Sequence, residues 1–127
     1  MARSFNAIVV RKGITDIVTD GVEAYYVCEE GSLKRCGGIG DILAGTIASL
    51  QQFPRDRLKL VSEMFSLQAD KDLTHSRLAP AVLACICVRR AARGAFFRKR
   101  HSLLCTDIFE ELQDIIADIT FEESQLS

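Results

Sequence analysis

The sequence has no marked excess of charge of either sign. Its 127 residues include 16 Lys and Arg against 17 Asp and Glu, a net charge of −1. Because proteins that bind nucleic acid or anionic membranes usually show a basic balance, this composition argues against both partners. The basic residues clustered over 89–101 are interpreted as a solvated helix end, with a nucleic-acid patch as the less favoured alternative.

Long apolar runs and secretion signals are also lacking. The longest apolar run, residues 78–88, is too short to cross a bilayer. Residues 1–10 contain no long apolar core of the kind that a secretory signal has. We therefore expect a soluble globular protein with no membrane partner, and the length allows one domain at most.

The five cysteines include no C-x-x-C pair, and their number is odd. A disulfide framework and a zinc site are both disfavoured by this pattern. A reducing compartment fits best, which we take as the cytoplasm, with the mitochondrion left open. Cys85 and Cys87 are expected to be small buried residues.

Apolar spacing and turn signals predict strands followed by helices. Residues 6–11 are typical of a strand inside a parallel sheet, and Asp20-Gly21 predicts a tight hairpin. The small residues that follow residue 42 predict a helix that packs closely in the centre of the molecule. The predicted elements are a strand at 6–11, hairpin strands at 17–19 and 22–28, and helices at 42–52, 57–73, 77–97 and from 106.

Residues 31–45 contain five of the eight glycines and then become apolar at helical spacing. Glycines allow close approach to backbone N–H groups, and a helix start presents unpaired N–H groups and a positive dipole end, which together favour phosphate. Lys34 and Arg35 could pair with that phosphate. Asp41, at the predicted helix start, is either an N-cap or a functional carboxylate, and taken alone the cap is the commoner role.

Residues 12–16, Lys-Gly-Ile-Thr-Asp, directly follow the first predicted strand. They form either an exposed turn with a solvated lysine or a second phosphate segment. The predicted hairpin lies between this segment and the glycine-rich stretch, so it can bring the two together.

The run Gly31-Ser32-Leu33-Lys34-Arg35-Cys36-Gly37-Gly38-Ile39-Gly40-Asp41 closely resembles the GSPRRCGGQGD signature of the ATP-dependent NAD(P)H-hydrate dehydratases. Residues 12–16 match that family's KGxxD segment, which borders the ATP site. Residues 81–89 and 102–112 are similar to its two closing helices. The sequence departs from the family pattern at Leu33, Lys34, Ile39, Leu103 and Leu104.

The resemblance implies an α/β fold: the C-terminal part of a ribokinase-like domain, with a parallel strand, a β-hairpin and then four helices, over residues 1–127. It implies dehydration of hydrated NADH and NADPH driven by ATP or ADP. The alternatives are a ribokinase-like kinase of a small alcohol and a truncated relative that binds nucleotide without catalysis. Because the family's domain is longer, we expect the isolated chain to be inactive and to self-associate.

The resemblance also implies roles for individual residues, with ATP and Mg²⁺ as cofactors. Asp41 would be the general base and would contact the hydrated nicotinamide substrate. No metal ligand set is expected in the chain, since Mg²⁺ would bridge the phosphates. The implied ATP-binding residues are Lys12, Gly13, Ile14, Thr15, Asp16, Gly31, Ser32, Leu33, Lys34, Arg35, Cys36, Gly37, Gly38, Ile39 and Gly40.

Overall fold

A three-stranded sheet is followed by a group of helices, as the mixed α/β prediction requires. This computed structural model describes residues 1–32, 36–65, 73 and 75–126, with the side chains of the last helix as far as residue 119. Its elements are α1 (Ala2–Phe5), β1 (Val9–Arg11), β2 (Asp16–Thr19), β3 (Ala24–Val27), α2 (Ile39–Gln51), α3 (Arg55–Met64), α4 (Ala79–Lys99), a 3₁₀ turn (Arg100–Ser102) and α5 (Cys105–Leu126).

The first strand is antiparallel to its neighbour, so the prediction of a parallel strand at this position is wrong within the described residues. β1 pairs with β2 in the register Val9 to Thr19 and Val10 to Val18. The reason lies in the connection. Only residues 12–15 separate the two strands, whereas a parallel crossover needs a dozen or more residues.

The predicted hairpin is confirmed, and Asp20 holds its turn. The Asp20 carboxylate accepts hydrogen bonds from the N–H groups of Val22 (2.9 Å) and Glu23 (2.8 Å). It also pairs with Arg77 Nε at 3.0 Å, which ties the turn to the start of α4. Gly21 adopts a left-handed φ of 92° and lies against Arg3, so a larger residue would not fit there.

The central helix is α4 rather than α2, which corrects the prediction from the small residues after position 42. α4 contacts α2, α3, α5, β2 and β3, and its buried residues include Ala84, Val88 and Ala91. Its many alanines allow neighbours to approach on every side. By contrast, α2 buries one face and exposes Ala44, Gly45 and Ala48.

Two helices that pack against α4 can be compared with the prediction only in part. α3 ends at Met64, and residues 66–72 of the predicted helix lie outside the described residues. In α5, Ile108, Leu112 and Ile119 are buried as expected, whereas Ile116 is exposed. The Asp107 carboxylate accepts a hydrogen bond from the Leu104 N–H at 2.8 Å, which satisfies a donor at the start of this helix.

No disulfide joins the cysteines, all five of which lie within the described residues. Cys85 and Cys87 are buried in α4, which confirms the expectation for these two positions. Burial raises the pKa of Cys85 to about 11 and that of Cys87 to about 12. Both thiols therefore remain protonated at neutral pH and act as small apolar core groups.

The turn at Asp20 predicts how stability depends on pH. Hydrogen bonds from the Glu23 and Val22 N–H groups lower the pKa of Asp20 from 3.8 to about 2. A carboxyl with a depressed pKa in the folded state stabilises the fold above its unfolded pKa, and this contribution is lost as the pH falls. We expect Asp20→Asn to be less stable than the unchanged protein at pH 6, with the difference closing between about pH 4 and pH 2. Urea unfolding followed by circular dichroism at several pH values measures this, and a difference that stays constant would contradict it.

Candidate functional site

A cavity of about 770 Å³ opens between the 12–14 turn, the segment after β3, the start of α2 and one face of α4. Its volume falls within the range of about 300–1,000 Å³ that is usual for small-molecule sites. The lining residues are Lys12, Gly13, Ile14, Cys28, Glu29, Glu30, Gly31, Ser32, Cys36, Ile39, Gly40, Val88, Arg89, Ala92, Arg93, Phe96, Phe97 and Arg100.

The wall from α4 is apolar near its middle and basic toward its end. Val88, Ala92 and Phe96 recur at four-residue spacing, so they lie on one side of the helix. Beside them the Arg93 guanidinium lies 5.5 Å from the ring centre of Phe97, and the guanidinium of Arg100 lies 5.7 Å from the same centre. This wall can accept a ligand that has both a flat apolar part and a negative charge.

The opposite wall includes the start of α2. Gly38 is the N-cap, and Ile39 and Gly40 are the first two helical residues and line the cavity. The N–H groups of a first helical turn have no acceptor within the helix, and the helix dipole makes them favourable for anions. The start of α2 thus brings anion-binding groups to the cavity.

The glycines of this signature differ in the space that a side chain would meet. Gly38 has a φ of 93°, and a Cβ placed on it would lie 2.8 Å from Cys105 Sγ, so this glycine is required by the fold. A Cβ on Gly37 or Gly40 would meet nothing within 4 Å. Of these two, Gly40 lines the cavity, so a larger side chain there would lie beside the space open to a ligand.

Asp16 is fully buried at the base of the 12–16 turn and joins two cations. Its Oδ2 accepts hydrogen bonds from Lys12 Nζ and Arg89 Nε, both at 2.7 Å, and its Oδ1 accepts one from the Gly13 N–H at 3.2 Å. Burial raises the pKa of this carboxyl, but the hydrogen bonds from Arg89, Lys12 and Gly13 outweigh it and hold the pKa below 3.8. Asp16 is therefore ionised and organises the turn.

Asp41 is the third residue of α2 and is exposed to solvent. The N-cap position belongs to Gly38, which has no side chain to cap the helix. Asp41 does not line the cavity, although the preceding residue does. Asp41 is therefore open to solvent and directly follows a residue of the cavity wall along the chain.

The structure brings together the two segments that the sequence singles out. Of the predicted nucleotide residues, Thr15, Asp16, Gly37 and Gly38 do not line the cavity. Leu33, Lys34 and Arg35 lie outside the described residues. The predicted residues that line the cavity are Lys12, Gly13, Ile14, Gly31, Ser32, Cys36, Ile39 and Gly40.

The wall from α4 was not predicted, because its arginines were interpreted as a solvated helix end. That interpretation is wrong for Arg89, whose side chain is 12% exposed and bonded to Asp16. Arg90 pairs with Glu29, and Arg98 with Glu111, each at 2.7 Å. The available signal was the four-residue spacing of Arg89, Arg93 and Phe97 along one helix face.

Across the part of the chain that the structure describes, no helix is both long enough and apolar enough to span a bilayer. The described residues also contain no group of three His, Cys, Asp or Glu side chains positioned to hold a metal ion.

The antiparallel strands followed by helices make this a partial carbohydrate-kinase-like α/β fold, the class expected from the sequence. The sequence profile of the carbohydrate-kinase-type NAD(P)H-hydrate dehydratases matches residues 1–114. The chain belongs to the NAD(P)H-hydrate dehydratase family.

Several curated relatives carry the name ATP-dependent (S)-NAD(P)H-hydrate dehydratase. The Vitis vinifera protein is 37% identical over 115 residues, 87% of this chain and 30% of its own length. The Heterostelium pallidum protein is 35% identical over 114 residues, 87% of this chain and 28% of its own. The Dictyostelium discoideum protein is 31% identical over 120 residues, which are 94% of this chain and 38% of its own length. The chain thus spans less than two fifths of these relatives.

Gly40→Val tests whether the start of α2 binds a phosphate-bearing ligand. Because a Cβ at Gly40 meets nothing within 4 Å, we expect melting to change little, whereas the added side chain should fill part of the cavity. ATP affinity should fall about tenfold or more in calorimetric titration. Gly45→Val is the matched control, since Gly45 lies in the same helix, meets equally open space and is not part of the cavity wall. Equal affinities in the two variants would show that the cavity is not the nucleotide site.

Proposed function

We propose that this chain supplies the nucleotide site and the catalytic carboxylate for the ATP-dependent dehydration of hydrated NADH and NADPH. The observation that carries the proposal is the meeting of the 12–14 turn, the glycine signature and the start of α2 around one cavity. The family and the names of the relatives supply the reaction.

Dehydration is difficult without activation, because hydroxide is a poor leaving group. In the proposed reaction the substrate hydroxyl attacks the terminal phosphorus of ATP and ADP departs. The phosphate ester then leaves as phosphate while a proton is lost from the neighbouring carbon, which forms the double bond. Phosphoryl transfer depends mainly on positioning and on charge stabilisation, and these are what a cavity edged by N–H groups and cations can provide.

Each part of the site has a role in this proposal. The N–H groups of Gly37, Gly38, Ile39 and Gly40 would hold the transferring phosphate, and Lys12 would offset its negative charge. Lys34 and Arg35 would do the same, as the signature implies. Asp41 would take the proton of the substrate hydroxyl, and its exposure to solvent next to the cavity residue Gly40 leaves it accessible to a substrate.

Mg²⁺ is proposed as the metal partner of the nucleotide. When bound it would neutralise part of the negative charge of the phosphates. The cavity wall fits it in one respect, since the Glu30 side chain is 76% exposed and its carboxylate, a hard oxygen donor, pairs with Arg93 at 3.2 Å through one of its two oxygens. A metal held mainly by phosphates needs only one or two protein carboxylates of this kind.

The proposals for compartment and self-association rest on separate features. Five described cysteines with no disulfide among them support a reducing compartment, the cytoplasm, with the mitochondrion as the alternative. β1 lies at one edge of the described sheet and pairs only with β2 there. Since an open strand edge can pair with another chain, it supports self-association.

The second candidate is a relative that binds nucleotide without catalysis. It is favoured by one observation: Asp41, the proposed catalytic carboxylate, does not line the cavity. The measurement that separates the two is turnover of hydrated NADH with ATP. It should be made on the 127-residue chain and on a chimera in which residues 1–114 replace the matching segment of the Vitis vinifera relative.

Asp41→Asn tests the catalytic role. In the chimera we expect turnover to fall by about 100-fold or more, because a general base typically contributes about 10²–10⁴-fold. ATP affinity should stay within a few-fold, since the carboxylate acts on the substrate hydroxyl and not on the nucleotide.

Asp56→Asn is the control for Asp41→Asn. Asp56 is also an exposed carboxylate in the first turn of a helix, α3, but it is remote from the cavity wall. Turnover should be unaffected by this change. If both variants retain full turnover, Asp41 has no chemical role; if an inactive chimera still binds ATP, the noncatalytic reading is the right one.

A further inference from the structure

Arg89 makes an unusually complete set of contacts for a residue of the cavity wall. Its Nε donates to Asp16 Oδ2 at 2.7 Å, and its two terminal nitrogens donate to backbone carbonyl oxygens. These acceptors belong to Gly13 (2.6 Å), Ile14 (2.8 Å) and Glu29 (3.0 Å). All three guanidinium nitrogens are therefore engaged on protein groups.

These contacts connect the two segments that define the cavity. Gly13 and Ile14 belong to the turn before β2, and Glu29 lies two residues before the glycine signature begins at Gly31. A planar guanidinium fork holds several acceptors at once in fixed relative positions, which a lysine ammonium cannot do in the same way. Arg89, which lies on α4, thus holds the two segments at a fixed distance from each other.

Arg89 also decides how strongly Asp16 retains Lys12. The same carboxylate oxygen accepts from both cations at 2.7 Å, but their exposure differs: the Arg89 side chain is 12% exposed and that of Lys12 is 40% exposed. Two cations on one carboxylate leave one net positive charge in the group formed by Lys12, Arg89 and Asp16. Because Arg89 is held by three carbonyls as well, Lys12 is the cation that can turn to an anionic ligand.

We infer that Arg89 is a positioning residue of the nucleotide site: it fixes the 12–14 turn against the segment before the glycine signature and, by satisfying Asp16, leaves the charge of Lys12 for the phosphates. The inference rests on the proposed function, since the ligand is a nucleoside triphosphate. It assigns Arg89 no contact with the nucleotide itself.

The test compares ATP with adenosine, which lacks the phosphates, by calorimetric titration of the 127-residue chain. Arg89→Met should weaken ATP binding by about tenfold or more and adenosine binding by less than about threefold. Arg89→Lys, which keeps the charge but loses the fork, should lie between Arg89→Met and the unchanged chain. A purely structural role would weaken both ligands equally.

A double variant tests whether the ion pair with Asp16 restrains Lys12. In Arg89→Met the uncompensated carboxylate should bind Lys12 firmly, so adding Asp16→Asn should restore part of the lost ATP affinity. If the two substitutions caused independent structural defects, their losses of binding free energy would instead add. If Arg89→Met does not fold, Arg89→Lys must still show the selective loss for ATP, and equal affinities would overturn the inference.

Arg90→Lys is the matched control. Arg90 is the next residue of α4, pairs with the Glu29 side chain at 2.7 Å and is not part of the cavity wall. The ATP affinity of the Arg90→Lys variant should stay within about twofold of that of the unchanged chain. If the unchanged chain binds no ATP, the proposed nucleotide site fails and this inference fails with it; if it binds ATP and the Arg89 variants do so equally well, only this inference fails.

Discussion

The ion pair between Asp16 and Arg89 connects the two halves of the structure. Asp16 is fully buried at the start of β2, and Arg89 reaches it from the middle of α4. A buried charge is costly unless it is paired and hydrogen-bonded, and removing one partner of such a pair commonly costs about 3–5 kcal/mol. Here the carboxylate also accepts hydrogen bonds from Lys12 and from the Gly13 N–H. Its partners Lys12, Gly13 and Arg89 all line the cavity.

The cavity exists because these contacts hold the hairpin at a fixed place beside α4. The sheet contributes the 12–14 turn and the segment after β3, while α2 contributes its first turn from the other side. α4 packs against both, and its small residues allow the close approach. The position of the candidate site thus follows from the packing of one central helix rather than from the glycine signature alone.

The sequence predicted the local elements of this arrangement better than their relations in space. The hairpin at Asp20-Gly21 and the helix after the glycine signature depend on turn chemistry and periodicity, which are properties of neighbouring residues. The prediction of a parallel first strand is wrong because the short connection to β2 requires antiparallel pairing, which the apolar content of the strand does not reveal. The burial of Arg89 could not be predicted from its neighbours, since its partner Asp16 lies 73 residues away along the chain.

The departures from the family signature can now be interpreted by burial. Leu103, where the resemblance leads one to expect a threonine, is fully buried, so the added apolar surface contributes to the core. Leu104, at the second such position, is exposed, and its N–H is satisfied by Asp107. Ile39, in place of the usual glutamine, packs partly against the core while it also lines the cavity. The backbone N–H groups of this turn do not depend on the side chain, so Ile39 can replace glutamine and still leave the helix start able to receive an anion.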